Sequence, residues 1–501
     1  MSKIITLRRL NEIAITRGND ICIIDKERQY TWYDIIHRTE SRIVFLRRAF
    51  NPEQLRSVCY LSKNSVDLIC WLAAFATLGI PANGLDYSLP IETLRGLLIK
   101  INPGLMLVSF SLYSPDELNK LHVRTITMLA VDAPTDPVIG SIGEFHHPEL
   151  ESLLATHIPA PFRSVSLTSG TSSAPKIVLR YNSFDARRFD WFTQRFNFTH
   201  HDGFLLILPL YHAAGNGWAR MFMGLGASLH LVDQDDESAL IQALSLNSVK
   251  ATVMTPNLVS RLTKLASETV LHHYLRWVLV GGSYFPVKSK IAAYTHLGHI
   301  FNEYYGCTET GVNVLSESSD MFECPGSVGR AFDGNKIRIL DEDNVPLKAG
   351  NRGRIAVASY MLMDEYGDGS RPFIEIDSER YFLMADYGYL DDNGRLFLMN
   401  RNSEIKCEQD IYHIEEHLRA LPCITDVALI PIRQQNKDHI RCIFSAKHIN
   451  EDDVSFIMDE IKNKINHIGV TDFTAHMVDK IPYSPSGKVR FSEIVQTLTA
   501  A

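Results

Sequence analysis

The sequence lacks long apolar runs, paired cysteines and any block of basic charge, and each absence removes a class of function. Its most apolar stretch, Leu68-Ile-Cys-Trp-Leu-Ala-Ala-Phe-Ala-Thr-Leu78, is bounded by Asp67 on one side and by Gly79 and Pro81 on the other. That is too short to span a bilayer and predicts a buried helix. Charged residues break up the opening MSKIITLRRLNEIAITRGND, which predicts neither a secretory signal nor a membrane anchor. The eight cysteines are scattered, with no Cys-x-x-Cys pair and no His/Cys cluster at zinc spacing, so free thiols, a reducing compartment and no structural metal are expected. A net charge of −8 without a Lys/Arg run leaves out the electrostatic footprint of a nucleic-acid binder. The expectation is a cytoplasmic protein with small-molecule partners, no nucleic acid and no membrane insertion.

What is present is ordinary globular material: 501 residues, 45% hydrophobic and 22% charged, enough for two or more domains. Residues 1–400 alternate helical patterns with short apolar runs at 57–61, 203–208 and 276–281. This predicts an α/β fold whose layered sheets are flanked by helices. After Arg401 the texture shifts to a helix near His413, a strand near Val427 and a helix over 454–465, a small α+β unit. The expected domains are therefore 1–400 and 401–501, joined at the polar stretch Asn400-Arg401-Asn402-Ser403-Glu404.

One stretch carries chemistry. In Ser166-Leu-Thr-Ser-Gly-Thr-Ser-Ser-Ala-Pro-Lys176 a strand end runs into hydroxyls, one glycine and a lysine. Backbone N–H groups and hydroxyls in such a turn form a concave anion site beside a compact cation. It is not the G-x-x-x-x-G-K-[ST] loop, and taken alone it also fits a polar surface turn.

The stretch resembles the phosphate loop of the adenylate-forming (acyl-AMP-forming) superfamily, which includes acyl- and aryl-CoA ligases, peptide-synthetase adenylation domains and firefly luciferase. Three further motifs follow in that family's order: Asn302-Glu-Tyr-Tyr-Gly-Cys-Thr-Glu309, Met384-Ala-Asp-Tyr-Gly-Tyr-Leu-Asp391 and Pro482-Tyr-Ser-Pro-Ser-Gly-Lys488. Tyr30-Thr-Trp-Tyr-Asp34 and Leu78-Gly-Ile-Pro-Ala82 resemble earlier segments, so the likeness covers nearly the whole chain.

The resemblance implies a large ATP- and acid-binding domain, a mobile C-terminal lid carrying the catalytic lysine, and ATP with Mg²⁺ as cofactors. Thr168, Ser169, Gly170, Thr171, Ser172 and Lys176 are implied to cradle the departing phosphates, Thr308 to bond the α-phosphate and Glu309 to hold Mg²⁺. Asp386 and Arg401 are implied on the ribose, and Gly282, Ser283 and Tyr305 against adenine. Lys488 is implied to stabilise charge at the reacting carboxylate. His212, in Pro209-Leu-Tyr-His212, resembles the gate of the acid pocket, and Trp218, Met221, Phe222 and Tyr304 are its expected lining. Residues 211–222 hold no acid to pair with an amine, which disfavours an α-amino acid, while Asn216, Asn302 or Glu303 are candidate polar contacts.

The chain departs from the family at Ser173, where glycine is usual, and at Met384-Ala385-Asp386, which keeps only the Asp of Thr-Gly-Asp. Residues 402–412 also lack the glycine of the loop implied in thioester formation. The expected function is acyl- or aryl-adenylate formation with release of pyrophosphate, followed by transfer to the pantetheine thiol of coenzyme A or of a separate acyl carrier protein. The alternatives are a stand-alone amino-acid-activating enzyme, with Glu303 as a possible amine anchor, and a weakened family member that binds a nucleotide or a partner.

Overall fold

The computed structural model describes residues 5–51, 55–132, 163–168, 175–401, 411–419, 421, 423–434, 437–447, 451–467, 472–484 and 489–490. Short apolar runs set its centre. Gly203–Leu206 and Trp277–Val280 are buried at every position and Val249–Met254 at all but one, as parallel strands covered on both faces must be. They sit in the middle of a nine-stranded sheet that continues to Phe301–Cys307, Gly311–Ser316 and Arg330–Ala331 on one side. On the other side it continues to Leu229–Leu231, Ile21–Asp25 and Arg28–Thr31. The interior strands pair parallel; antiparallel pairs occur only towards the two edges. A second sheet of four parallel strands contains Val58–Leu61.

Helices cover these sheets, and their ends follow local chemistry. Trp32–Ala49 starts in a capping box between Thr31 and Asp34. The expected buried helix is Val66–Thr77, whose first turn is capped by the Ser65 hydroxyl; past its end Gly79 has φ +65°. Aromatic side chains fill the space between helices and the large sheet: Phe192 against Trp218 at 4.7 Å, Phe198 against Trp277 at 5.0 Å and Phe198 against Phe222 at 4.9 Å between ring centroids.

The alternation of helix and strand expected up to residue 400 ends earlier. After Ser318–Glu323 the described chain is built of strands to Arg401. The reason is turn chemistry: Ile376 pairs with Glu379 across Asp377 and Ser378, which both hold positive φ, the geometry of a tight two-residue hairpin. Leu396–Arg401 is a strand whose Arg401 pairs with Asp386, and the rest of the expected junction, 402–404, lies outside the described residues. Beyond it, Ile424–Gln434, Lys437–Ala446 and Asp472–Met477 make a separate sheet, and the helices Ile411–Arg419 and Glu451–His467 supply its own core around Leu418, Phe444 and Ile461. Among the described residues no helix is long and apolar enough to cross a membrane.

Candidate active site

The C-terminal ends of the central parallel strands open into a cleft of about 940 Å³, the usual place for a ligand in such sheets. Its walls include the turns after Gly203–Leu206 and Trp277–Val280 and the segment Tyr304–Glu309. The hairpin Ser164–Leu167/Ile177–Arg180 forms another wall. Thr168 and Lys176 close the base of the hydroxyl-rich loop: the Thr168 N–H donates to the Lys176 carbonyl at 3.0 Å and the Lys176 N–H to the Thr168 hydroxyl at 2.8 Å. Ser169, Gly170, Thr171 and Ser172 lie outside the described residues, as do Ser173 and Lys488.

Lys176, Tyr366 and Glu309 form a connected set. The Lys176 ammonium sits 5.0 Å from the Tyr366 ring centroid, and the Tyr366 hydroxyl donates to Glu309 Oε1 at 2.8 Å. Burial, with Glu309 second, pushes the Tyr366 phenol well up, so it stays a donor. Arg180, which sequence reasoning missed, is buried behind them. Its Nε donates to the Met361 carbonyl at 3.2 Å and its Nη2 to the Thr308 carbonyl. Burial lowers its guanidinium to about 10, so it keeps its charge at neutral pH. It holds the backbone of Thr308, itself a candidate phosphate contact.

At the other wall the buried Tyr305 hydroxyl donates to Asp386 Oδ2 at 2.7 Å. Burial and then Asp386 raise that phenol far above its ordinary value. Arg401 stands opposite Asp386 in the strand register; its side chain is outside the described residues. Replacing Asp386 with alanine removes the acceptor of a buried hydroxyl and is expected to cost about 1–3 kcal/mol of unfolding free energy. Adding Tyr305→Phe should return part of that loss. Denaturant unfolding of both single variants and the double variant checks it, and strictly additive losses contradict it.

Gly281 and Gly282 shape the neighbouring turn. A Cβ at 281 meets the Tyr304 ring at 2.4 Å, and Gly282 has φ +93°. Next to Ser283, Tyr284 stacks on Tyr412 of the C-terminal unit with ring centroids 4.1 Å apart. Pro286 precedes the helix Val287–Leu297 and offers no side-chain cap. Glu416 supplies one from the other unit, accepting from the N–H groups of Val287 and Lys288 and from the Tyr284 hydroxyl. Glu416→Ala is expected to weaken this docking by about 1 kcal/mol. Faster hydrogen exchange at the Val287 and Lys288 amides is the readout, and unchanged exchange contradicts it.

The expected acid pocket divides. His212, Trp218 and Tyr304 line the cleft, and so does Asn216. His212 also caps the helix Ala213–Gly224, its Nδ1 accepting from the Ala214 N–H at 3.3 Å. Met221 and Phe222 do not line it: both are 0% exposed in the hydrophobic core beneath, on the same helix face as Trp218 but deeper. Asn302 is taken up by the Ser318 N–H. Glu303 reaches the cleft but is buried against the Lys290 ammonium at 2.6 Å, which leaves it no charge to offer an amine. An acid does face the pocket from outside residues 211–222: Asp185 lies between Arg188, at 3.2 Å, and Arg220, at 2.8 Å. These three residues were also missed in the sequence.

Comparison with known proteins gives the family and the fold. A family model described as AMP-binding enzyme matches residues 10–367. The 2-succinylbenzoate–CoA ligase of Lactococcus lactis subsp. lactis is 28% identical over 299 residues, a match that covers 58% of this chain and 62% of that protein. The indoleacetate–CoA ligase of Aromatoleum aromaticum is 24% identical over 466 residues, 88% of each. The fold matches the solved amide bond synthetase of Marinactinospora thermotolerans with a TM-score of 0.79 at 18% identity, over 98% of this chain and 99% of that one.

Proposed function

The chain belongs to the AMP-binding enzyme family, and from that premise we propose that it activates a carboxylic acid with ATP. An acid oxygen attacks the α-phosphorus, the bond to the β,γ-phosphates breaks, and an acyl- or aryl-adenylate and pyrophosphate form. The acyl group then passes to a thiol, of coenzyme A or of a separate carrier protein, with loss of AMP. The observation that carries the reading is the convergence on one cleft of Lys176 and Glu309, of Asp386 and Tyr305, and of an aromatic, arginine-bearing pocket, with Arg180 and Arg188 packed on the same Phe184 ring.

Two anions must be brought together, so positive charge and fixed donors have to be in place before reaction. Lys176 and the hydroxyl-rich loop receive the departing phosphates, and Arg180 fixes the Thr308 backbone beside them. Asp386 accepts from the ribose hydroxyls, with Tyr305 holding its carboxylate in place. Residues 401–501 act as the lid that delivers Lys488, and the Glu416 and Tyr412 contacts are its docking points.

The donor set suits magnesium that arrives with the nucleotide. Among the described residues no group of three His, Cys, Asp or Glu side chains forms a metal cage. A single carboxylate, Glu309, fits a hard cation that keeps waters and phosphate oxygens as its other ligands. Bound there, the ion neutralises triphosphate charge.

Trapping the activated acyl group with hydroxylamine tests the reading: an ATP-dependent hydroxamate is expected with at least one acid class, and none with any class contradicts it. The altered stretch after Arg401 further predicts that free coenzyme A is a poorer acceptor than a carrier protein's pantetheine. Equal turnover with the two thiols removes that expectation.

A further inference from the structure

The pocket's charge does not balance. Asp185 is one carboxylate between two guanidiniums, and it accepts one hydrogen bond from each. The Arg188 side chain is 9% exposed and that of Asp185 10%, whereas Arg220 is 33% exposed, so it is the Arg188 guanidinium that is enclosed rather than solvated. The Nε of Arg188 and the Nε of Arg220 are buried without an acceptor. The two arginines together hold Asp185 below its ordinary carboxylate range despite its burial, so it is no proton store that could cancel the excess. A buried, uncompensated charge costs several kcal/mol unless an anion completes it.

The fold makes room for this guanidinium. Gly217, five residues past His212, leaves the space it occupies: a Cβ there meets Arg188 Nη2 at 2.7 Å. Aromatic rings of Phe184, Phe189 and Trp218 surround it with centroids 5.0–5.8 Å away. Arg188, Gly217, Trp218, Arg220 and Tyr304 all face the cleft. A planar fork of donors in an aromatic frame is the geometry that selects a carboxylate.

We propose that the acid this enzyme activates carries a second anionic group, a carboxylate remote from the reacting one, held by Arg188 with help from Arg220. This rests on the adenylate-forming reading, which assigns the reacting carboxylate to the phosphate end of the cleft. It also separates the substrate class from amino acids, because Asp185 is already spent on the two arginines.

The test compares dicarboxylic acids with their monomethyl esters, blocked at the remote carboxyl, in acid-dependent pyrophosphate exchange. Wild-type enzyme is expected to prefer a diacid over its ester by at least about 10²-fold in kcat/KM, since a buried donor set left unfilled penalises the ester. Arg188→Met should reduce that preference at least about tenfold, and Gly217→Ala, which displaces the guanidinium without removing it, should reduce it less. Esters used as well as diacids, or equal losses for both in Arg188→Met, overturn the proposal while leaving adenylate formation standing. Thermal unfolding gives a readout free of turnover. A dicarboxylate should raise the midpoint of wild type and not that of Arg188→Met, and a panel of diacids without effect on wild type overturns the proposal even if exchange is never seen.

Discussion

Replacing Lys488 with alanine is expected to lower acid-dependent adenylate formation by about 10²–10³-fold while ATP affinity changes by no more than a few fold. The argument starts from charge. As the acid oxygen approaches the α-phosphorus, negative charge concentrates between two groups that repel each other in the ground state, and a cation that arrives only with lid closure acts on the transition state more than on bound ATP. The described flanks of its loop fit that delivery. Tyr483 and Val489 are bridged, the Arg490 N–H donates to the Pro482 carbonyl at 2.9 Å, and Ser484 lines the cleft. Tyr483 is tied in turn to Asp426 at 2.6 Å, so the loop's base is fixed to the C-terminal sheet. Single-turnover adenylate formation and equilibrium nucleotide binding, measured on the same variant, separate the two effects. Loss of binding equal to loss of rate contradicts the assignment.

Glu309→Gln is expected to reduce exchange by about 10²-fold at ordinary Mg²⁺, with partial recovery as Mg²⁺ is raised. Glutamine keeps an oxygen that can accept from the Tyr366 hydroxyl, so the local packing should survive while the charge is lost. Tyr366→Phe serves as the comparison. It removes the hydrogen bond and keeps the ring beneath Lys176, and should cost only a few fold with no change in Mg²⁺ dependence. If Glu309→Gln responds to Mg²⁺ as wild type does, the carboxylate is not the metal contact. A matching shift in Tyr366→Phe places the effect in the hydrogen bond instead.

The sequence spoke clearly where one physical signal dominated. The apolar run ending at Gly79 became the helix Val66–Thr77, and the runs at 203–208 and 276–281 became buried parallel strands, because uninterrupted apolarity leaves few alternatives. Described residues of all four ordered motifs, Thr168, Lys176, Tyr305, Glu309, Asp386 and Ser484, meet at one cleft, since a site for a polar ligand restricts residue types tightly. The acid end was less legible. Asp185-Ala-Arg-Arg-Phe-Asp190 carries no motif that marks it, yet Arg188 falls on the buried side of its helix with Phe189 and Phe192. Only the tertiary placement of Gly217 gives it a site. Trp218, Met221 and Phe222 share one helix face, and depth along that face, which periodicity does not encode, decides which of them reaches the cleft. Glu303 looked free until the fold brought Lys290 against it from a neighbouring helix.

The most direct test of the central claim is exchange of labelled pyrophosphate into ATP, measured across monocarboxylic, dicarboxylic and amino acids with wild-type enzyme and Lys488→Ala. The account predicts Mg²⁺-dependent exchange that requires an acid, is strongest with a dicarboxylate and falls by about 10²–10³-fold in the variant. Exchange that proceeds without any acid, or that the lysine variant supports as well as wild type, contradicts it.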